Sequence, residues 1–278
     1  MDTDLTTKQS TNSETTVHRM VWRVSAIASN TFREAVRDRV PYNLVLFVLM
    51  LTGAAVFIGD LSGGQERKII VDLGLSAMLL FGVFIAIFVG VALVYKEIER
   101  RTVYAIFAKP VGRGEFLLGK YLGLCSTLLV NVIVMGAGVS LALIYVNRGW
   151  DPLALSIWPA ILFIYIELMI LTGVALLFSC FSSPALSALL TFFVFIIGHF
   201  SGDLKDLAGS AQGSGARWLF GGLYYLIPNL SNLSFITPAG HGQMPAAGHV
   251  LTVSLYALLY VIVILAAATM IFSRRNFK

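Results

Sequence analysis

Six stretches of this chain are apolar for long enough to approach or exceed the thickness of a bilayer, and nothing else in it narrows the fold so far. A spanning helix needs about 20 mostly apolar residues. Inside lipid no water bonds the backbone, so only helices and closed barrels satisfy every N–H and C=O. The stretches cover residues 42–59, 73–95, 116–146, 157–181, 185–200 and 250–272. Pro41 suits the opening turn of the first, the third is long enough to project beyond the bilayer, and Ser182-Ser183-Pro184 separates the fourth from a short fifth. Hydrophobic residues make up 57% of the chain and charged ones 13%, against ~25% charged in a soluble domain. That balance excludes a disordered chain and an ordinary cytosolic enzyme, and two cysteines exclude a disulfide framework. The fold expected is an all-α polytopic membrane protein with six transmembrane helices.

The charges set its orientation. Fifteen of the Lys and Arg residues fall in the N-terminal segment, in the connection that follows the second stretch and in the C-terminal tail; five fall in the opposite loops. Basic residues stay on the cytoplasmic side, so both termini are expected in the cytoplasm. The formal charge of +5 is thereby spent on topology and points to no nucleic-acid partner. The polar start and the basic segment after it lack the short apolar core and cleavage site of a signal peptide, so the N-terminus is expected to stay on the chain. Cys125 and Cys180 then sit near the reducing cytoplasmic face, as buried free thiols.

Two cytoplasmic elements stand out. After a flexible polar start at 1–17, residues 18–40 carry Met20, Val24, Ile27, Ala28, Phe32 and Val36 at roughly helical spacing, with Arg19, Arg23, Arg33 and Arg37 largely off that stripe. An amphipathic helix lying in the membrane interface is expected there, its arginines reaching lipid phosphates or a partner. Domain 41–278 follows, containing the six spans. Its loop 96–114 opens with Lys96-Glu97-Ile98-Glu99-Arg100-Arg101-Thr102, where Glu97 and Arg101 at i, i+4 favour a short helix. Val103, Tyr104, Ile106 and Phe107 then need a covering surface, either the membrane or a protein partner, before Pro110 and Gly112 stop the helix.

This loop resembles the cytoplasmic loop of type-2 ABC exporter permeases. The residues that carry the resemblance are Glu97, Glu99, Arg101, Thr102, Pro110, Arg113, Phe116, Gly119 and Lys120. It extends to the amphipathic N-terminal helix, the six spans and the long last outer loop. The resemblance implies a permease of the bacterial cytoplasmic (inner) membrane that works as a homodimer. A separate ABC ATPase subunit would dock on a coupling helix, at Glu97, Glu99, Arg101, Thr102, Tyr104, Phe107, Pro110 and Arg113. ATP and Mg would be held by that partner, with no cofactor on this chain.

Two look-alike motifs are set aside. Leu61-Ser62-Gly63-Gly64-Gln65 spells an ABC ATPase signature, yet falls in a short loop on the expected outer side, where there is no ATP pool. Gly114-x4-Gly119-Lys120 imitates a phosphate-binding loop, but Tyr121 replaces the Ser or Thr that reaches Mg²⁺, and a spanning helix runs through it.

Within the membrane, Glu167 and Asn131 are the polar candidates. A carboxylate at bilayer depth costs about 2.5–3.5 kcal/mol on insertion scales, so Glu167 is either functional or a packing contact; Asn131 suits helix–helix hydrogen bonding. His199 alone makes no metal site, and His18, His241 and His249 offer no ligand spacing. The outer loop 201–249 holds Asp203 and Asp206, a Gly/Ser stretch over 209–215, then Trp218, Phe220, Tyr224 and Tyr225 ahead of Pro228-Asn229. Short outer or re-entrant helices are expected there, at the aromatic boundary of the membrane. The leading functional reading is an exporter permease. The alternatives are a proton-coupled carrier or intramembrane enzyme centred on Glu167, and a non-transporting membrane anchor of an assembly.

Overall fold

A computed structural model describes residues 2–38, 46–47, 50–51, 66–99, 112–149, 152–202, 209 and 214–274. Every regular element among them is a helix. In chain order these are α1 (Asp2–Asp38), α2 (Glu66–Glu99), α3 (Arg113–Val146), α4 (Leu153–Ser156), α5 (Trp158–Ser179), α6 (Pro184–His199), α7 (Ser214–Leu226), a 3₁₀ turn (Ser231–Leu233), α8 (Ile236–Gly240) and α9 (Ala247–Arg274).

Four of these are long and apolar enough to cross a membrane: α2, α3, α4 continuing into α5, and α9. The fifth expected span is α6, whose 16 residues extend about 24 Å at 1.5 Å per residue, short of the ~30 Å hydrocarbon core. The first expected span, 42–59, lies outside the described residues except at four positions. Of these, Phe47 and Leu51 are buried, and the Phe47 ring meets Phe81 of α2 edge-on at 6.2 Å.

Local chemistry fixes the boundaries. Gly112 is extended and precedes α3, its N–H donating to Glu115 Oε2 at 3.3 Å, a first-turn carboxylate that supplies a partner for a helix-start donor. Ser183 is extended before Pro184, which opens α6; proline fits a first helical turn and restrains the residue before it. The hydroxyls of Ser182 and Ser187 close that turn at 2.7 Å. Two boundaries differ from the sequence reading. Helix α1 already begins at Asp2, ahead of the amphipathic segment at 18–40. Helix α2 continues through Glu99, so the first residues of the 96–114 loop prolong a span. The i, i+4 pairing there favours helix, and no breaker intervenes before Pro110.

Helices α2, α3 and α5 form the core, with α6 and α9 at its margin. Of the most apolar window of α4–α5, 72% is buried, against 22% for α9, which makes α5 the central helix and α9 a peripheral one. Close approach depends on glycine at two crossings. A Cβ on Gly82 would lie 2.5 Å from Leu168 Cδ1, and one on Gly136 would lie 2.7 Å from Ile161 Cδ1. Tyrosines cross-tie α3 to α5, Tyr121 OH donating to Met169 O and Tyr165 OH to Cys125 O, both at 3.3 Å. Cys125 and Cys180 are buried and free.

Helix α1 packs chiefly on α3. Its buried residues are Val24, Thr31 and Ala35, with Ile27 and Ala28 half-buried, whereas Met20 and Val36 of the expected stripe are exposed. The two helices approach closely because the counterpart of this face is a glycine ridge. A Cβ on Gly119 would lie 2.7 Å from Ile27 Cβ, and one on Gly123 would lie 2.6 Å from Ala28 O and from Thr31 Cβ.

Candidate functional site

The base of α3 gathers three helices at the expected cytoplasmic face. Arg113 Nη1 donates to Phe272 O at 3.1 Å and also to Ser273 O, in the last turn of α9. A guanidinium there satisfies carbonyls that have no partner within their own helix and complements the negative helix end. Arg113, named from sequence among the docking residues, has its guanidinium on the end of α9. Beside it, Glu115 lies 3.6 Å from Arg23 of α1. One turn further, Phe116 stacks on Phe272 with ring centroids 6.2 Å apart, in an apolar cluster that includes Leu117, Cys180 and Ala268.

Lys120 completes this junction. It is 1% exposed, its Nζ lies 3.9 Å from Glu34 Oε2 on α1, and it sits 5.9 Å from the Phe116 ring centroid. Gly119 and Lys120, half of the phosphate-loop look-alike, therefore pack and pair with α1. Glu97 and Glu99 belong to the last turn of α2. Arg101, Thr102, Tyr104, Phe107 and Pro110 lie outside the described residues, as does the 61–65 pentapeptide. Sequence reasoning did not single out Glu34 or Glu115. Two signals for this junction were present: Gly119-x-x-x-Gly123 is a small-xxx-small pattern, and Glu115 stands three residues after the Gly112 that precedes α3.

The second site lies inside the membrane. Glu167, 1% exposed, is brought beside His199, with Oε1 and Nδ1 separated by 3.4 Å. Neither of those atoms has a hydrogen-bond partner of good geometry. The hairpin of α5 and α6 makes this pair, which sequence spacing cannot reveal because 32 residues separate the two positions. Asn131 bonds within its own helix, Nδ2 donating to Thr127 O at 2.8 Å, and so does not provide the interhelical hydrogen bond expected of it. Among the described residues no three His, Cys, Asp or Glu side chains come together as a metal site.

The chain folds back over the pair on the side expected to face outward. Leu230 N–H donates to Gly198 O at 3.1 Å, beside His199. Asn229 Oδ1 accepts from Ser201 Oγ at 2.7 Å, Ser231 Oγ at 2.8 Å and Asn232 N–H at 3.3 Å. Helix α9 ties this segment down: Asn229 N–H donates to Tyr256 OH at 2.9 Å, and Tyr260 OH donates to Leu226 O at 3.1 Å. The helix α7 ahead of it occupies the segment expected to be helical and stops before Pro228.

The family model described as ABC-2 family transporter protein matches residues 25–277. No curated protein matches the chain.

Proposed function

Since the chain belongs to the ABC-2 transporter family as a membrane-spanning permease subunit, we propose that it is an exporter that works as a homodimer and is driven by a separate ATPase docked on residues 96–114. The bacterial inner membrane is its proposed location, with both termini in the cytoplasm; ATP and Mg belong to the partner. The observation that carries this reading is the junction at the base of α3. The segment between α2 and α3 leads straight into Arg113, Glu115 and Lys120, which grip α9 and α1. Force applied to that segment reaches three helices within the first two turns of α3.

The docking reading is tested at Tyr104 and Phe107. Interface energy concentrates in a few buried anchors, often aromatic. Tyr104→Ala or Phe107→Ala is expected to weaken capture of the ATPase by detergent-solubilised permease by about 2 kcal/mol, roughly 30-fold. Lys109→Ala should cost at most ~1 kcal/mol, as an exposed ion pair does. Full capture and ATP-driven activity in both aromatic variants would remove the docking assignment.

Orientation has its own measurement. A cysteine at Gly64 or Gly213 should react with a membrane-impermeant thiol reagent in intact cells, and one at Thr102 should not. The reverse pattern inverts the topology.

The Glu167–His199 contact favours a second reading, a proton-coupled carrier. Transport that follows the proton gradient, ignores ATP and is lost in Glu167→Gln would establish it in place of the first.

A further inference from the structure

On the outer side, a cavity of about 650 Å³ opens between α7, the segment after it and α9. Tyr224, Asn229, Asn232, His249, Tyr256 and Tyr260 supply its aromatic and polar walls. We propose that this cavity binds an uncharged, hydroxyl-bearing ring compound of the neutral saccharide type. Its outward placement rests on the orientation proposed above; its ligand chemistry does not.

Size, charge and geometry each bear on the ligand. The volume falls within the ~300–1,000 Å³ of small-molecule sites. No Asp, Glu, Lys or Arg is among the described residues that line it, so an ion would shed its water with no counter-charge to receive it. A quaternary ammonium group could use ring faces alone, but it would give the Asn229 and Asn232 amides in the wall no hydrogen-bond partner. Here Tyr256 and Tyr260 stand one turn apart on the same helix, with centroids 5.9 Å apart and planes tilted by 37°. They form a shelf, suited to the flat C–H face of a sugar ring.

The shelf is also fixed in advance. The Tyr256 hydroxyl accepts from Asn229 N–H and the Tyr260 hydroxyl donates to Leu226 O, so both rings are held before any ligand arrives, and little ordering cost remains. Three donors occupy Asn229 Oδ1, which leaves its NH₂ as the group to offer a ligand hydroxyl. The Asn232 amide adds a donor and an acceptor. His249 is held at the wall by Phe163, with ring centroids 5.7 Å apart.

The experiment uses the full chain in nanodiscs of phosphatidylethanolamine and phosphatidylglycerol, which contain neither sugar nor quaternary ammonium. Methyl glucoside and methyl maltoside are titrated against it by ligand-observed NMR, alongside glucosamine, glucuronate and tetramethylammonium. The neutral glycosides should bind at least ten-fold more tightly than the three charged probes. Val253→Trp, which fills the cavity, and Asn232→Ala, at an exposed wall position, should each weaken the glycosides ten-fold or more. Trp218→Ala, on a separate surface, should leave them unchanged. Preferential binding of tetramethylammonium, undiminished glycoside binding in both cavity variants, or no glycoside binding would each overturn the proposal. The assay needs neither ATPase nor gradient, so its failure is separate from failure of the coupling reading.

Discussion

Cutting the Glu167–His199 contact at one end is expected to destabilise the fold by about 1–3 kcal/mol, the usual cost of leaving a buried polar group without a partner. His199→Leu leaves the Glu167 carboxyl 1% exposed with no imidazole at 3.4 Å. The double variant Glu167→Leu/His199→Leu should recover most of that loss, because replacing both polar partners by apolar groups of similar shape is often nearly neutral. The measurement is a double-mutant cycle of reversible unfolding in mixed micelles. A strongly non-additive cycle identifies the two residues as one unit. Additive single effects of under ~1 kcal/mol would show that the two side chains do not sustain each other. A stable double variant that no longer transports would assign the pair to transport, since folding would then be intact.

The second large effect lies at the glycine ridge. Gly123→Ala should destabilise the protein by ~1–3 kcal/mol, the range for overpacking a close contact. Its new methyl would meet Ala28 O and Thr31 Cβ at 2.6 Å. Neither atom is the tip of a flexible side chain, so α1 itself must move away. Gly119→Ala meets Ile27 Cβ at 2.7 Å and Val24 O at 3.2 Å and should act in the same direction. Gly138→Ala, in the same helix, would find only Phe47 Cε1 among the described residues, at 3.9 Å. It should be neutral or stabilise by up to ~1 kcal/mol, the ordinary gain of replacing a helical glycine. Trapping by a short bifunctional thiol reagent between cysteines placed at Arg23 and Glu115, whose side chains meet at 3.6 Å, reports whether α1 has left α3. If Gly123→Ala leaves both trapping and stability unchanged, the ridge does not set the approach of these helices.

Much of the helical plan could be read from the sequence because lipid removes the alternatives. Apolar length alone located α2, α3, α5 and α9, and Pro184 located the start of α6. What escaped depended on partners. The stripe expected on α1 includes Val24, Ile27 and Ala28, which do meet the glycines, but it omits Thr31, which packs on Gly123, and it includes Met20 and Val36, which are exposed. Arg113 carried a docking expectation because its local pattern resembles a coupling loop; the carbonyls it bonds belong to residues 272 and 273, beyond the reach of any local pattern. Glu167 announced itself by the cost of a carboxylate in lipid. Its imidazole partner lies on the next helix and emerges only once the hairpin closes.

Helix α9 is fastened at its last turn and again near its middle. Arg113 grips its last turn, while Tyr256 and Tyr260 hold the outer segment. Only 22% of its most apolar window is buried, along one stripe of Val253, Ala257, Val261, Ile264 and Ala268. Its 28 residues make a rod of about 42 Å at 1.5 Å per residue, stiff in compression because every turn is hydrogen-bonded to the next. About 20 Å of continuous helix, 13 residues at 1.5 Å per residue, separates the carbonyl of Ser273 from Tyr260, so the two fastenings belong to one stiff rod and shift together along its axis.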